Sequence, residues 1–348
     1  MIDPGKLRRR SGAVNFMLNM MFRMGVFHAV RQIHPFDLTI LNYHRIDDLT
    51  RPGFDTFTPN VTASPVEFTR QMDYLQSHYN VISCETLSAW MRWKKDLPPH
   101  AAMVTFDDGY YDNYAHAYPI LKARNLSALI FLTTSLIGSD NPVFWDHVAY
   151  CFFHTRKRSV KIRLLGEVAW ANGTECRVVM KRWVEAIKIL PDDEKRDAVD
   201  SLSSLLEVTV PDGAFSNLYL TWEQVREMCQ NGIEIGSHTV LHPILTRIPL
   251  SKAEEELVYS KRRIESEIRK PVISFAYPNG SRSDYSPDVI NLVRQTGYEL
   301  AFTLTGRASP YTKVKRHPFE ISRIFLGSSD VLPRFVAKLS FGRAHFGY

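Results

Sequence analysis

The 348-residue sequence predicts a parallel α/β sheet or barrel, on two observations. Short apolar runs rich in β-branched and aromatic residues alternate with longer segments of helical period, and the helical segments open on capping residues. Polar residues able to do chemistry also follow several of the apolar runs directly, at the strand ends where α/β proteins gather their sites.

Taken in order, "LTILNYH" from residue 38 reads as a strand. A helix then opens on Ser64 as N-cap, with Pro65 at the first helical position and Glu67 completing a capping box. "AAMVTF" is a buried strand, "NYAHAYPILKARN" a helix in spite of Pro119, and "ALIFLTT" a further strand. Residues 141–217 break the rhythm. They hold "FWDHVAYCFF", then two β-like pieces around "WANGTE" with the Asn172-Gly173 pair as a hairpin turn, then helical stretches over Arg182–Leu190 and Pro191–Leu206. This region is an insertion decorating one rim of the α/β unit, where specificity commonly resides. The alternation resumes with a helix capped by Thr221 and Gln224 that ends at Gly232, and the strand "IEIGSH". A long helix follows, capped by Ser251 and Glu254 and running to about Arg269; then come strand "VISFAYP", helix "SPDVINLVRQTG", and strands "LAFTL" and "ISRIFL".

Composition narrows the function. With 45% hydrophobic and 23% charged residues the chain is globular, and its net charge of +6 is spread along the sequence. A pI near 9.0 suits an anionic surface such as a membrane or a lipid diphosphate, but the dispersed charge is not the footprint of a nucleic-acid binder. Cys84, Cys151, Cys176 and Cys229 lie far apart with no C-x-x-C pair, which suggests neither a zinc knuckle nor a disulfide framework. Residues 1–37 form an N-terminal helical segment: Arg8, Arg9 and Arg10 precede Phe16, Met17, Met20, Met21, Met24 and Phe27 at helical spacing. That pattern fits an interfacial amphipathic helix or a helix packed on the domain, and it is too short and polar to span a bilayer. The expected address is the cytoplasm or the membrane periphery, with a secreted or periplasmic one also open. Residues 327–348 read as a C-terminal tail.

Four strand ends carry candidate chemistry: His44, the pair Asp107-Asp108, His238 with His242, and "YPNG" with Asn279. Two imidazoles and one carboxylate make a three-ligand site with open positions, the pattern of a catalytic metal. Pro243 disfavours helix at His242, which places that histidine at the cap of a helix opening with Pro243. Adjacent aspartates suit one metal ligand plus one base, whereas a glycosidase needs carboxylates opposed across a bond. On spacing alone, "DDG" and "YPNG" also read as ordinary turns.

The motifs "TFDDGY", "HTVLH" followed by Pro, and "FAYPNG", in that order, resemble the signature of the polysaccharide deacetylases, carbohydrate esterase family 4 or the NodB homology domain. The resemblance covers residues 38–326, and "ILNYHRI" at the start is similar to the circularly permuted members. It implies a distorted (β/α) barrel with a helical and hairpin insertion. It also implies metal-dependent removal of an acetyl group, N-acetyl before O-acetyl, from a glycan or lipid-linked oligosaccharide, as in exopolysaccharide or glycolipid biosynthesis. Carried over, Asp108, His238 and His242 are the metal ligands, Asp107 the base, Asn279 the backbone oxyanion donor and His44 the acid, with His317 a weaker second choice for the acid. The metal is zinc first, with cobalt, nickel or iron also accepted by such ligands. Where the third motif commonly has an Arg two residues before its Pro, Ala276 stands here, and Arg323 is the candidate partner of Asp107; rim pairing is its alternative. Trp145 is a candidate for the sugar groove or for the core. Two other functions stay open: a catalytically silent carbohydrate-binding relative, and a metal-dependent hydrolase of another amide or O-acetyl ester.

Overall fold

The computed structural model describes residues 4–94 and 96–341. Seven parallel strand lines form its centre: β1 (Asp37–Tyr43), β2 (Ala101–Asp108), β3 (Ala128–Leu132), β4 (Ile233–Ser237), β5 (Ser274–Ala276), β6 (Leu300–Thr303) and β7, which runs as Ile321–Ser322 and resumes as Ile324–Phe325. Neighbours in that order are hydrogen-bonded. The first half of β7 pairs with β6 and the second half with β1, so the sheet closes into a distorted barrel. Short pieces at Asn80–Val81 and Ser309–Pro310 extend the edges of β2 and β1.

Side chains alternate across each strand, and that period sorts the sequence into two layers. Leu41, Tyr43, Val104, Phe106, Ile130, Leu132 and Ile235 face outward and are covered by the helices Pro65–His78, Trp222–Gln230, Leu250–Ile268 and Pro287–Gln295. Leu38, Ile40, Met103, Leu129, Phe131, Phe302 and Ile321 share a second core inside the barrel. On that inner face the composition changes along the strand. Ile40 is followed by Asn42 and His44, Met103 by Thr105 and Asp107, and Ile321 by Arg323. Apolar residues close the amino-terminal end, and polar ones accumulate at the carboxyl end.

Several local expectations are met and several are corrected. Thr221 and Gln224 form a reciprocal capping box. At Ser64 only half of one forms: the hydroxyl accepts from the Glu67 N–H, while the Glu67 carboxylate turns to Arg70. The long helix starts at Leu250 behind Pro249, so Ser251 lies inside it. No helix opens with Pro243; one 3₁₀ turn, Leu245–Arg247, follows it before the long helix begins. The insertion's hairpin pairs Ser159–Ile162 with Gly166–Ala169 and turns at residues 163–165. Asn172-Gly173 is not its turn. The Asn172 side chain accepts from the N–H groups of Thr174 and Glu175 and caps the helix Gly173–Ile187, a local bond that wins over the turn propensity. Helices Asp192–Asp200 and Leu202–Leu206 follow. Together with Phe144–His154, these elements bury Trp183, Met180, Phe152 and Leu202 in a core of their own, which reaches the barrel through Phe57 and Tyr110.

The N-terminal segment folds as two helices, Pro4–Arg23 and Val26–Ile33, hinged at Gly25 with φ +72°. Leu18 and Phe27 are buried in the outer core, beside Phe335 and Val336 of the helix Leu332–Phe341 that follows the last strand. The opposite face leaves Phe16, Met17, Met20 and Met24 exposed. Among the described residues no helix is long and apolar enough to cross a membrane.

Candidate active site

The two halves of the aspartate pair separate because the chain turns between them. Asp107 ends the inward alternation of β2, whereas Asp108 and Gly109 take left-handed conformations at φ +73° and +84°. Gly109 is required there, since a Cβ would meet Ile137 at 2.8 Å and Leu132 at 2.9 Å.

Asp107 is held by a bidentate pair with Arg323, Nη1 to Oδ1 at 2.6 Å and Nη2 to Oδ2 at 2.9 Å, and Asn42 donates to Oδ2 at 2.8 Å. Arg323 reaches the site because β7 breaks at this residue, between its two pairing halves. Its Nη1 also donates to Thr105 and its Nε to the Thr303 carbonyl, and it does not pair on the rim. Burial alone would raise the Asp107 carboxyl. The Arg323 charge, then His238 and His44, more than offset that and hold it well below the usual carboxylate range.

Asp108 has the opposite surroundings. It is fully buried, and neither carboxylate oxygen receives a hydrogen bond. Burial, and then the neighbouring Asp107 charge, push its carboxyl well up. Nε2 of His238 lies 3.8 Å from Asp108 Oδ1, and Nε2 of His242 3.6 Å. The ligand atoms of these three residues fall within 4.8 Å of one another, the one such group of three among the described residues. His238 Nδ1 is 2.7 Å from the Ala276 carbonyl, so that nitrogen carries the proton and Nε2 presents a lone pair. Burial, then the charge of His238, lower the His242 imidazole well below its ordinary range, which also leaves a lone pair. An unpartnered buried carboxylate facing two neutral imidazoles fits a divalent cation.

The loop that delivers His242 is held by other side chains. Glu256 accepts from the N–H groups of Val240 at 2.6 Å and Leu241 at 2.9 Å, and the Thr239 hydroxyl accepts from the His242 N–H at 3.0 Å. The "YPNG" loop is likewise held by Asp284, which accepts from Asn279 Nδ2 and the Ser281 N–H. The Asn279 backbone N–H has no partner among the described residues. His44 stands at the end of β1 with its ring against Phe325, and its Nδ1 is buried without a partner. Burial lowers it to about 4, although the Asp107 charge acts in the other direction. His317 is outside the site: it is half exposed and lies 3.6 Å from Glu320.

All of this opens into a cleft of about 810 Å³ lined by His44, Asp107, His238, His242, Asn279 and Trp145, among others. The Trp145 ring meets His242 edge-on at 4.8 Å, so it is both buried and part of the cleft wall. Sequence reasoning missed three polar residues that build the site. Asn42 was visible as an amide in an apolar strand. Tyr110 accepts from Trp145 Nε1 at 2.8 Å and donates to Asp146 at 2.7 Å. Asp146, wholly buried, also accepts from the Phe57 N–H, and so ties the insertion to the barrel rim. Asp146 carried a signal only as a charge inside "FWDHVAY".

Residues 94–301 match the family model described as Polysaccharide deacetylase. YxkH of Bacillus subtilis, which carries the family's name, is 23% identical over 270 residues, 77% of this chain and 65% of its own. The poly-beta-1,6-N-acetyl-D-glucosamine N-deacetylase of Staphylococcus epidermidis is 29% identical over 110 residues, 29% of this chain and 37% of its own. The chain thus spans less than two thirds of either relative. Among solved structures, the deacetylase PplD of Streptococcus pyogenes superimposes with a TM-score of 0.58 at 18% identity, over 88% of this chain and 99% of that one. IcaB from Ammonifex degensii gives 0.54 at 20%, over 87% and 96%. At these identities the structural likeness is one of fold.

Proposed function

The chain belongs to the polysaccharide deacetylase family, and we propose that it is a metal-dependent N-deacetylase of a glycan or a lipid-linked sugar. The observation that carries the reading is the contrast between neighbours. Asp108 is buried with no donor and faces two imidazole lone pairs, while Asp107 beside it is kept ionised by Arg323.

Asp108, His238 and His242 would hold the ion, zinc first. A divalent ion there supplies an acidified water and positive charge for the acetyl carbonyl oxygen. Asp107 accepts a proton from the attacking water, and its low basicity makes it a transient holder. His44, lowered to about 4, is neutral near pH 7 and enters the cycle unprotonated. It takes up the proton released by the attack and then delivers it to the departing nitrogen. The new C–O bond forms, the C–N bond breaks, and acetate and a free amine leave. The Asn279 N–H is the chain's own donor toward the carbonyl oxygen as it gains charge. The exposed apolar face of the N-terminal helices, preceded by Arg8, Arg9 and Arg10, suits peripheral contact with an anionic membrane surface.

The test is acetate release from N-acetylglucosamine oligomers and from an activated acetyl ester, with metal-stripped and zinc-resupplied protein. Release should require metal. Asp107→Asn should keep the metal and lose most turnover, whereas His238→Ala should lose both. His44→Ala should impair amide hydrolysis more than ester hydrolysis, because an activated leaving group needs little protonation. Metal loss in Asp107→Asn would reverse the roles of the two aspartates. Equal impairment of amide and ester in the His44 variant would remove His44 as the acid.

A further inference from the structure

One wall of the cleft is cationic, and the insertion builds it. The helix Gly173–Ile187 buries Cys176, Val179, Met180, Trp183 and Val184 in the insertion's core. Its other face, continued by Lys188 just past the helix, presents Arg177, Lys181, Glu185 and Lys188 at intervals of four, four and three residues. Lys195 joins them from the next helix. Two of these charges are balanced locally: Lys188 pairs with Glu185 at 2.8 Å and Lys195 with Asp192 at 2.5 Å. Arg177 and Lys181 have no carboxylate partner among the described residues; the Arg177 guanidinium only lies over the Phe153 ring. The remaining acid on the cleft lining, Asp107, is neutralised by Arg323. The wall shares one cleft with the chemistry, since the same lining holds His44, Asp107, His238 and His242.

Such a wall does not suit a neutral glycan polymer. Each acetyl group removed leaves an ammonium, and a cation-lined cleft would repel the product it makes. On the deacetylase reading above, we propose that the acetylated sugar carries an anionic group, a phosphate or a carboxylate, which the insertion binds through Arg177 and Lys181 while the acetyl group lies at His238 and His242. Arg177 can grip such a group with two parallel donors, and Lys181 adds a point charge. The insertion then selects the substrate, and the barrel performs the hydrolysis.

The test is direct binding, so it does not depend on turnover. Calorimetry on the zinc-loaded protein would compare N-acetylglucosamine, N-acetylglucosamine 1-phosphate and a glucuronate-bearing N-acetylglucosamine disaccharide. At least one charged probe should bind about tenfold or more tightly than the neutral sugar, with affinity falling as salt is raised. The probe that does so separates a phosphate source from a carboxylate source. In the doubly substituted Arg177→Gln, Lys181→Gln protein the preference should vanish. Arg177→Lys should retain part of it. Both side chains are exposed, so folding is not at stake. Equal affinity for charged and neutral probes, or a preference that survives the double substitution, would overturn the proposal. Selective binding without any acetate release would instead sink the deacetylase reading and leave the anion site standing.

Discussion

Arg323 shows how much one buried side chain can decide. Its guanidinium satisfies both oxygens of Asp107 in the barrel interior, where a lone carboxylate would be driven to protonate. Removing one partner of a buried pair strands the other, at a cost of about 3–5 kcal/mol. Arg323→Met should therefore lower the urea midpoint and raise the Asp107 carboxyl toward or above its ordinary range. Because the Asp107 carboxyl is depressed in the folded protein, its stabilising contribution is present above about pH 4 and lost as pH falls through and below that range. In the variant the acid limb of the pH profile of kcat/KM should move to higher pH. An unshifted limb would mean that Arg323 does not set the charge of Asp107. Arg323 was one of two readings in the sequence because "ISRIFL" shows its alternation but not which strand lies opposite.

At the level of elements, strand β4 has to pass close to its neighbours to deliver His238. At Gly236, two residues earlier, a Cβ would lie 2.5 and 2.6 Å from the Phe131 ring and 2.7 Å from Ser274 Oγ. Gly236→Ala should cost about 1–3 kcal/mol by overpacking and also weaken zinc binding, because the strand that shifts leads directly into His238. Retained zinc affinity at reduced stability would show that the ligand loop is positioned by Glu256 and Thr239 alone. Local signals were legible where a side chain answers its own backbone, as at the Thr221–Gln224 box. They misled where two local bonds compete. Asn172-Gly173 has the composition of a hairpin turn, but the Asn172 side chain finds two helical N–H groups.

Across the whole molecule, the candidate cation site joins two stretches far apart in sequence, Asp108 at the end of β2 and the His238–His242 loop after β4. Binding at a site that exists only when both are folded must stabilise the fold, by about 2.7 kcal/mol at a free concentration of 100 Kd. Chelation should therefore lower the melting temperature by a few degrees. His238→Ala should abolish that difference, and a melting temperature indifferent to chelator would argue against a tight site. The sequence by itself determined the alternating α/β architecture, the polar residues at the strand ends and the residues of the aspartate and histidine motifs. These are properties of period and local chemistry, carried by neighbours along the chain. Only the tertiary structure decided that Arg323 meets Asp107, that Asn42 and Asp146 support the site, that Leu332–Phe341 packs into the core, and that the insertion turns a cationic face to the cleft. Those depend on which strands close the barrel and where buried charges find partners, and neither is encoded within any single segment.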